Sequence, residues 1–163
     1  MNQLPDFWRT EIWHPLSVHF PIAILLLATV FGLISLFIKK EKWRELSYIL
    51  LLIGTLGAWI SVFTGNLADG AVGRNLCDPT VLENHENGAY TVAWLFSTAS
   101  AFVLIDYKNL FKNFKSYLRL LIILLMIIGS GFLTLTGHLG AELVYQQAAG
   151  VYTPSEDCSE FEE

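Results

Sequence analysis

Four apolar runs separated by short polar stretches set the pattern of this chain. Residues 20–38 are 19 consecutive positions without a charge, enough for a helix across the roughly 30 Å hydrocarbon core of a bilayer. Three comparable runs follow, and together they predict spans over about residues 15–38, 46–67, 88–105 and 118–144. His14-Pro15 opens the first, where a proline is tolerated because its missing N–H would have been unpaired in any case. In the second, Gly57, Ser61 and Gly65 recur every fourth position and share one face, the small-residue pattern by which membrane helices approach closely. Packing is reason enough for Gly57 and Ser61, whereas Gly65 suits either packing or room for a ligand. Residues 69–84, with turn residues Gly70, Gly73 and Pro79, read as a polar loop, and Gly129-Ser130-Gly131 as a thin, flexible middle of the fourth span. The expected fold is all-α, an integral-membrane four-helix up-down bundle over residues 14–152. An interfacial segment, residues 1–13 with Phe7, Trp8 and Trp13, precedes it, and an acidic tail, residues 153–163, follows it.

Composition agrees with that pattern. The chain is 53% hydrophobic, only 15% charged, and has a mean hydropathy of +0.48, which places it in the membrane class. A net charge of −5 with no basic stripe argues against nucleic acid as a partner. The N-terminus lacks a basic region before its apolar run, so no cleavable signal peptide is expected. Lys39, Lys40, Lys42 and Arg44 fall in one connection and Lys108, Lys112, Lys115 and Arg119 in another, while only Arg9 and Arg74 fall on the opposite side. That asymmetry predicts both basic connections in the cytoplasm and both termini outside. Cys77 and Cys158 are then both on the outer side, where a disulfide persists, and their pairing is expected.

The candidate chemistry lies in the four histidines. Counted from the charged inner ends, His19 lies 20 residues from Lys39, His85 lies 21 from Asp106 and His138 lies 19 from Arg119. At ~1.5 Å per residue, all three stand about 30 Å from the inner boundary, with His14 five residues further out. Polar groups in a membrane are costly, and three imidazoles at one level call for a common purpose. A faint internal repeat points the same way: Thr64-Gly65-Asn66 aligns with Thr136-Gly137-His138, and His19 with His85, each with a proline upstream (Pro15, Pro79). Two successive hairpins of one orientation would be related by a two-fold axis along the membrane normal, with His19 facing His85.

Three readings of that layer remain open. Two neutral imidazoles from facing helices form an axial pair for haem b, with Gly65, Gly137 and Gly140 leaving space for the macrocycle and Arg9 or Arg74 meeting its propionates. Alternatively, three imidazoles with Asp69, Glu86 or Glu142 hold zinc, copper or iron for a binding or hydrolytic role. In the third, the histidines cap helices or bond to Asn66 and Glu142 in a cofactor-free scaffold subunit. Trp59, Tyr90, Trp94 and Tyr145 are aromatic candidates for a pocket wall, though belt or packing positions explain them equally. No Cys-x-x-Cys-His occurs, which argues against covalent haem, and no phosphate loop, nucleophile elbow or His-Glu-x-x-His is present.

His14-Pro15-x-x-x-His19-Phe20-Pro21-Ile22-Ala23, the Thr64-Gly65-Asn66 end of the second span, His85, and Gly137-His138-Leu139-Gly140 with Val144-Tyr145 resemble the bacterial membrane family called domain of unknown function 2231. The resemblance covers about residues 12–152. It implies a four-helix protein of the bacterial inner membrane whose members look like b-type cytochromes, some joined to cytochrome c domains. The function so implied is electron transfer, as a carrier or a subunit of a redox complex. A bis-histidine haem b would lie near the periplasmic surface, ligated by two of His19, His85 and His138, with His14 as a supporting group or a ligand of an additional haem. The implied partners are a quinol-linked membrane protein and a c-type cytochrome.

Overall fold

A computed structural model of the protein describes residues 9–38, 40–110, 112–151, 153, 155 and 156. The interfacial Phe7 and Trp8, and Cys158 with its expected pairing, lie outside the described residues; Cys77 is exposed and has no disulfide partner among the described residues. Four helices follow one another: α1 Thr10–Phe37, α2 Glu41–Val72, α3 Pro79–Tyr107 and α4 Lys115–Gln147. Each is long and apolar enough to cross a membrane, and no strand occurs among the described residues. The fold is therefore the expected four-helix membrane bundle.

The helices overrun the expected spans, and the reasons are local. Residues 69–72 continue α2 instead of opening a loop. Asp78 caps α3 by accepting a 2.9 Å bond from the Thr80 amide, and Pro79 at the first helical position has no amide to lose. His85 is consequently well inside α3. Gly129-Ser130-Gly131 does not thin or interrupt α4, which is continuous through it. Gly129 is needed for fit: a Cβ there would stand 3.0 Å from the Phe96 ring.

α1 packs on α2 and α4, and α3 packs on α4 and α2, so α1 and α3 are diagonal partners. The core between them includes Leu25, Leu51, Phe96, Ile122 and Met126, all fully buried. The two hairpins α1–α2 and α3–α4 repeat one another in detail. Residues 71 apart correspond between α1 and α3 (14/85, 25/96, 29/100), and residues 75 apart between α2 and α4 (54/129, 55/130, 61/136, 65/140). A Cβ at Gly54 would meet the Leu25 side chain, just as one at Gly129 would meet Phe96. Thr29 of α1 bonds Ser130 of α4 at 2.9 Å, and Thr55 of α2 bonds Ser100 of α3 at 2.9 Å. A two-fold axis along the bundle exchanges these two pairs. The repeat foreseen in the sequence is real, but its register differs: His14, and not His19, is the mate of His85.

At the end of the bundle that carries the basic connections, Asp106 is buried within α3. It accepts hydrogen bonds from Tyr48 Oη at 3.2 Å and Arg119 Nε at 3.2 Å. The sequence placed Asp106 in the inner connection; its burial is explained by these two donors from α2 and α4.

Candidate functional site

At the opposite end the diagonal helices α1 and α3 stand apart around a cavity of about 640 Å³. Its walls are mostly apolar, with Val18, Ile22, Ala58, Val62, Val92 and Leu133 among them. His14 of α1 and His85 of α3 face each other across it, with ring centroids 6.0 Å apart and ring planes at 84°.

Each ring is held in the same way. His14 Nδ1 bonds the Ser61 carbonyl at 3.0 Å, and His85 Nδ1 bonds the Thr136 carbonyl at 2.9 Å. A carbonyl can only accept, so Nδ1 carries the hydrogen in both rings and Nε2 is left with its lone pair. Neither Nε2 has a hydrogen-bond partner among the described residues. One helical turn after each accepting carbonyl stands a glycine. A Cβ at Gly65 would be 3.2 Å from His14 Cε1, and one at Gly140 would be 3.0 Å from His85 Cε1. Both glycines exist to admit an imidazole. Ser61 Oγ, also on the cavity wall, is buried without a partner among the described residues.

The remaining candidates are distributed around this pair. His19 lines the cavity but is otherwise exposed, and its Nδ1 is tied to the Pro15 carbonyl at 2.5 Å. Asn66 Nδ2 donates to Tyr90 Oη at 2.9 Å, and both residues line the cavity. Glu11, Asp69 and Glu86 stand at its polar edge, with Arg9 paired to Glu11. Gly137 lies on the wall, and Tyr145 touches the cavity while being 87% exposed. His138 and Glu142 do not line it, and His138 is exposed on the outside of α4. Among the described residues no three or more of His, Cys, Asp and Glu come together as a metal-holding group.

Depth and direction explain where the sequence reading of the layer departs from this arrangement. His14 lies 23 residues from the inner end of α1, His85 lies 22 from that of α3 and His138 lies 23 from that of α4. These three share the layer, and His19 falls short of it because Lys39 is beyond the helix end. His138 nevertheless points away, since two residues of helix turn it about 200° from Thr136, which faces His85. The signal that finds the pair is a hydroxyl residue followed four positions later by glycine, Ser61/Gly65 and Thr136/Gly140. The adjacent Thr-Gly dipeptides at 64–65 and 136–137 suggested a different register and obscured it.

This chain belongs to the family described as "predicted membrane protein (DUF2231)", whose model matches residues 12–153. No curated protein matches it, and no solved structure does.

Proposed function

We propose that the protein is a b-type cytochrome-like electron carrier and that His14 and His85 are the axial pair of a haem held in the cavity. The observation that carries this reading is the pair itself. With metal–imidazole bonds of about 2 Å, two rings on opposite sides of one metal ion have centroids roughly 6 Å apart, and His14 and His85 stand at 6.0 Å. The fixed Nδ1–H tautomers aim basic Nε2 atoms away from the helices, which is the second bond by which proteins orient a metal-binding imidazole. The apolar walls suit a macrocycle, and the buried Ser61 Oγ on the wall, without a partner among the described residues, could bond a group held there. When bound, the haem supplies a one-electron iron couple. The chain's own part is to hold both rings, keep water from the centre with the apolar walls, and present Asn66, Tyr90 and His19 as polar contacts.

Two facing imidazoles favour this over zinc, which takes four ligands in closed sites and three in open ones. The eight-to-two division of Lys and Arg supports an inner-membrane orientation with the histidine end and both termini periplasmic. A quinol-linked donor and a c-type cytochrome acceptor fit that orientation.

The test is the spectrum of detergent-purified protein, oxidised and dithionite-reduced, with metal analysis of the same sample. Sharp α and β bands with near-stoichiometric iron are expected. His14→Ala and His85→Ala each lose the low-spin spectrum, while His138→Ala keeps it. Full haem in both of the first two variants, or a colourless protein carrying zinc or copper, overturns the assignment.

A further inference from the structure

Outside the bundle, α3 and α4 form a second depression of about 520 Å³ that opens sideways toward lipid. Its wall is set by Asn87, Tyr90, Thr91 and Trp94 of α3, closed below by Leu125 of α4. Trp94 is 62% exposed and is braced edge-on by Trp59, their centroids 5.2 Å apart at 86°. Trp59 is itself fixed by donating to Ser97 Oγ at 2.9 Å. Trp59 thus holds the Trp94 ring from behind, and Trp94 and Tyr90 are the two aromatic rings that line the groove.

The polar groups of this groove are unevenly satisfied. Thr91 and Thr98 spend their hydroxyls on carbonyls of their own helix. The Asn87 side-chain amide has no hydrogen-bond partner among the described residues. Tyr90 Oη accepts from Asn66 and keeps its own hydrogen to donate. Tyr90 is also a wall of the histidine cavity, so one ring separates the two spaces. α3 is the least apolar of the four helices. A face of this kind gains nothing from lipid tails, which cannot bond an amide.

We infer that this groove binds the head group of a lipid-soluble quinol, with Trp94 stacking on the ring and Asn87 and Tyr90 bonding its oxygens. The inference rests on the electron-transfer reading above and names its donor class. A ligand that enters from the membrane needs a lateral opening, aromatic faces and one or two polar anchors, and it must end next to the redox centre. The groove supplies the first three, and continuity through Tyr90 supplies the last. Oxidation of one quinol gives one quinone, two protons and two electrons. The two protons would go to water, and the two electrons would go one at a time to a haem held by His14 and His85 and from there to a c-type cytochrome, with Tyr90 lining both spaces between donor and acceptor.

The experiment is a titration of intrinsic tryptophan fluorescence in nanodiscs with decyl-ubiquinone, followed by haem reduction with decyl-ubiquinol in the same samples. Saturable quenching is expected. Trp94→Phe removes most of its amplitude, and Asn87→Ala weakens binding about fivefold, as for one lost hydrogen bond. Both variants keep the low-spin haem spectrum and slow its reduction by the quinol, but not by dithionite. Saturable quenching in a protein shown to lack haem would leave the groove standing and remove the electron-transfer reading instead. Linear, non-saturating quenching that is unchanged by both variants overturns the inference. So does efficient disulfide cross-linking of Asn87→Cys in native membranes, because the groove would then be an interface between two copies of this chain.

Discussion

The two ends of the bundle are built from the same repeat and finished in opposite ways. At the basic end side chains pack and bond across the bundle: Ser47 Oγ bonds the Ala28 carbonyl at 2.8 Å, and Asp106 Oδ2 draws Tyr48 and Arg119 together, while its Oδ1 is buried without a partner among the described residues. At the histidine end glycine again permits close approach, but what enters is an imidazole, and its Nε2 has no hydrogen-bond partner among the described residues. Gly54 and Gly129 admit hydrocarbon, from Leu25 and Phe96; Gly65 and Gly140 admit His14 and His85. The same device therefore makes a core in one half and a cavity in the other. Small residues on a membrane helix do not by themselves say which; the residue facing them does.

That contrast can be broken most severely at the glycines. Gly140→Leu forces the His85 ring from its seat. Overpacking costs about 1–3 kcal/mol, roughly fivefold or more in occupancy, so haem content should fall at least about fivefold while the protein still elutes as a folded species. Gly54→Leu, the same change in the filled half, should instead prevent recovery of folded protein, because its Cβ alone would lie 2.6 Å from Leu25 Cδ2. Comparable haem loss and comparable folding in the two variants would erase the distinction between the halves.

At the basic end, Asp106→Ala leaves the Arg119 guanidinium and the Tyr48 hydroxyl without their acceptor. Arg119 is partly exposed, which reduces the penalty to about 2 kcal/mol. For a chain of this size that lowers Tm by roughly 4–8 °C, read by scanning fluorimetry in detergent. The spectrum of the proposed haem should not change, since Asp106 lies 21 residues along α3 from His85. A shifted spectrum would show that the two ends are coupled.

How far the sequence carries can be seen in the same residues. The four helices and their membrane character follow from apolar run length alone. The presence of a repeat and of a histidine layer also follows, because both depend on position along the helix axis. Direction around the axis was harder to read: His138 shares the layer yet turns outward, and His14, placed five residues beyond the layer as a supporting group or ligand of an additional haem, belongs to the layer and turns inward. The charged residues used as depth markers misled for a physical reason. Lys39 stands beyond the last turn of α1, and Arg119 lies one turn inside α4, where it pairs with the buried Asp106. Burial of a paired charge and the azimuth of a side chain are tertiary properties, and a single hydropathy profile holds neither.

A smaller effect tests whether the repeat is energetic as well as geometric. Thr29→Val and Thr55→Val each remove one hydroxyl from the exchanged pairs with Ser130 and Ser100. Interhelical hydrogen bonds in membranes average about 0.6 kcal/mol, and the two variants should lose equal stability within error. A marked inequality would mean that the two-fold axis relates positions but not environments.

The smallest expected effect is at the start of α3, which has no capped counterpart in α1: Arg9 precedes α1 without a side-chain cap, whereas Asp78 caps α3. Two bonds from Thr80, one from its hydroxyl and one from its amide, hold the Asp78 carboxyl below its ordinary pKa. A depressed folded value means that the cap contributes fully above the ordinary aspartate range and is lost as pH falls through the lower folded value. Hydrogen exchange at the amides of residues 80–83 should therefore be insensitive to pH between neutrality and about 5, after correction for the intrinsic rate, and accelerate in stronger acid. Asp78→Ala should show the faster exchange at every pH and leave the exchange of α1's first turn untouched. If the wild-type first turn of α3 already exchanges as fast as that of α1, the cap adds nothing measurable, and the asymmetry between the two hairpin entrances is one of geometry only.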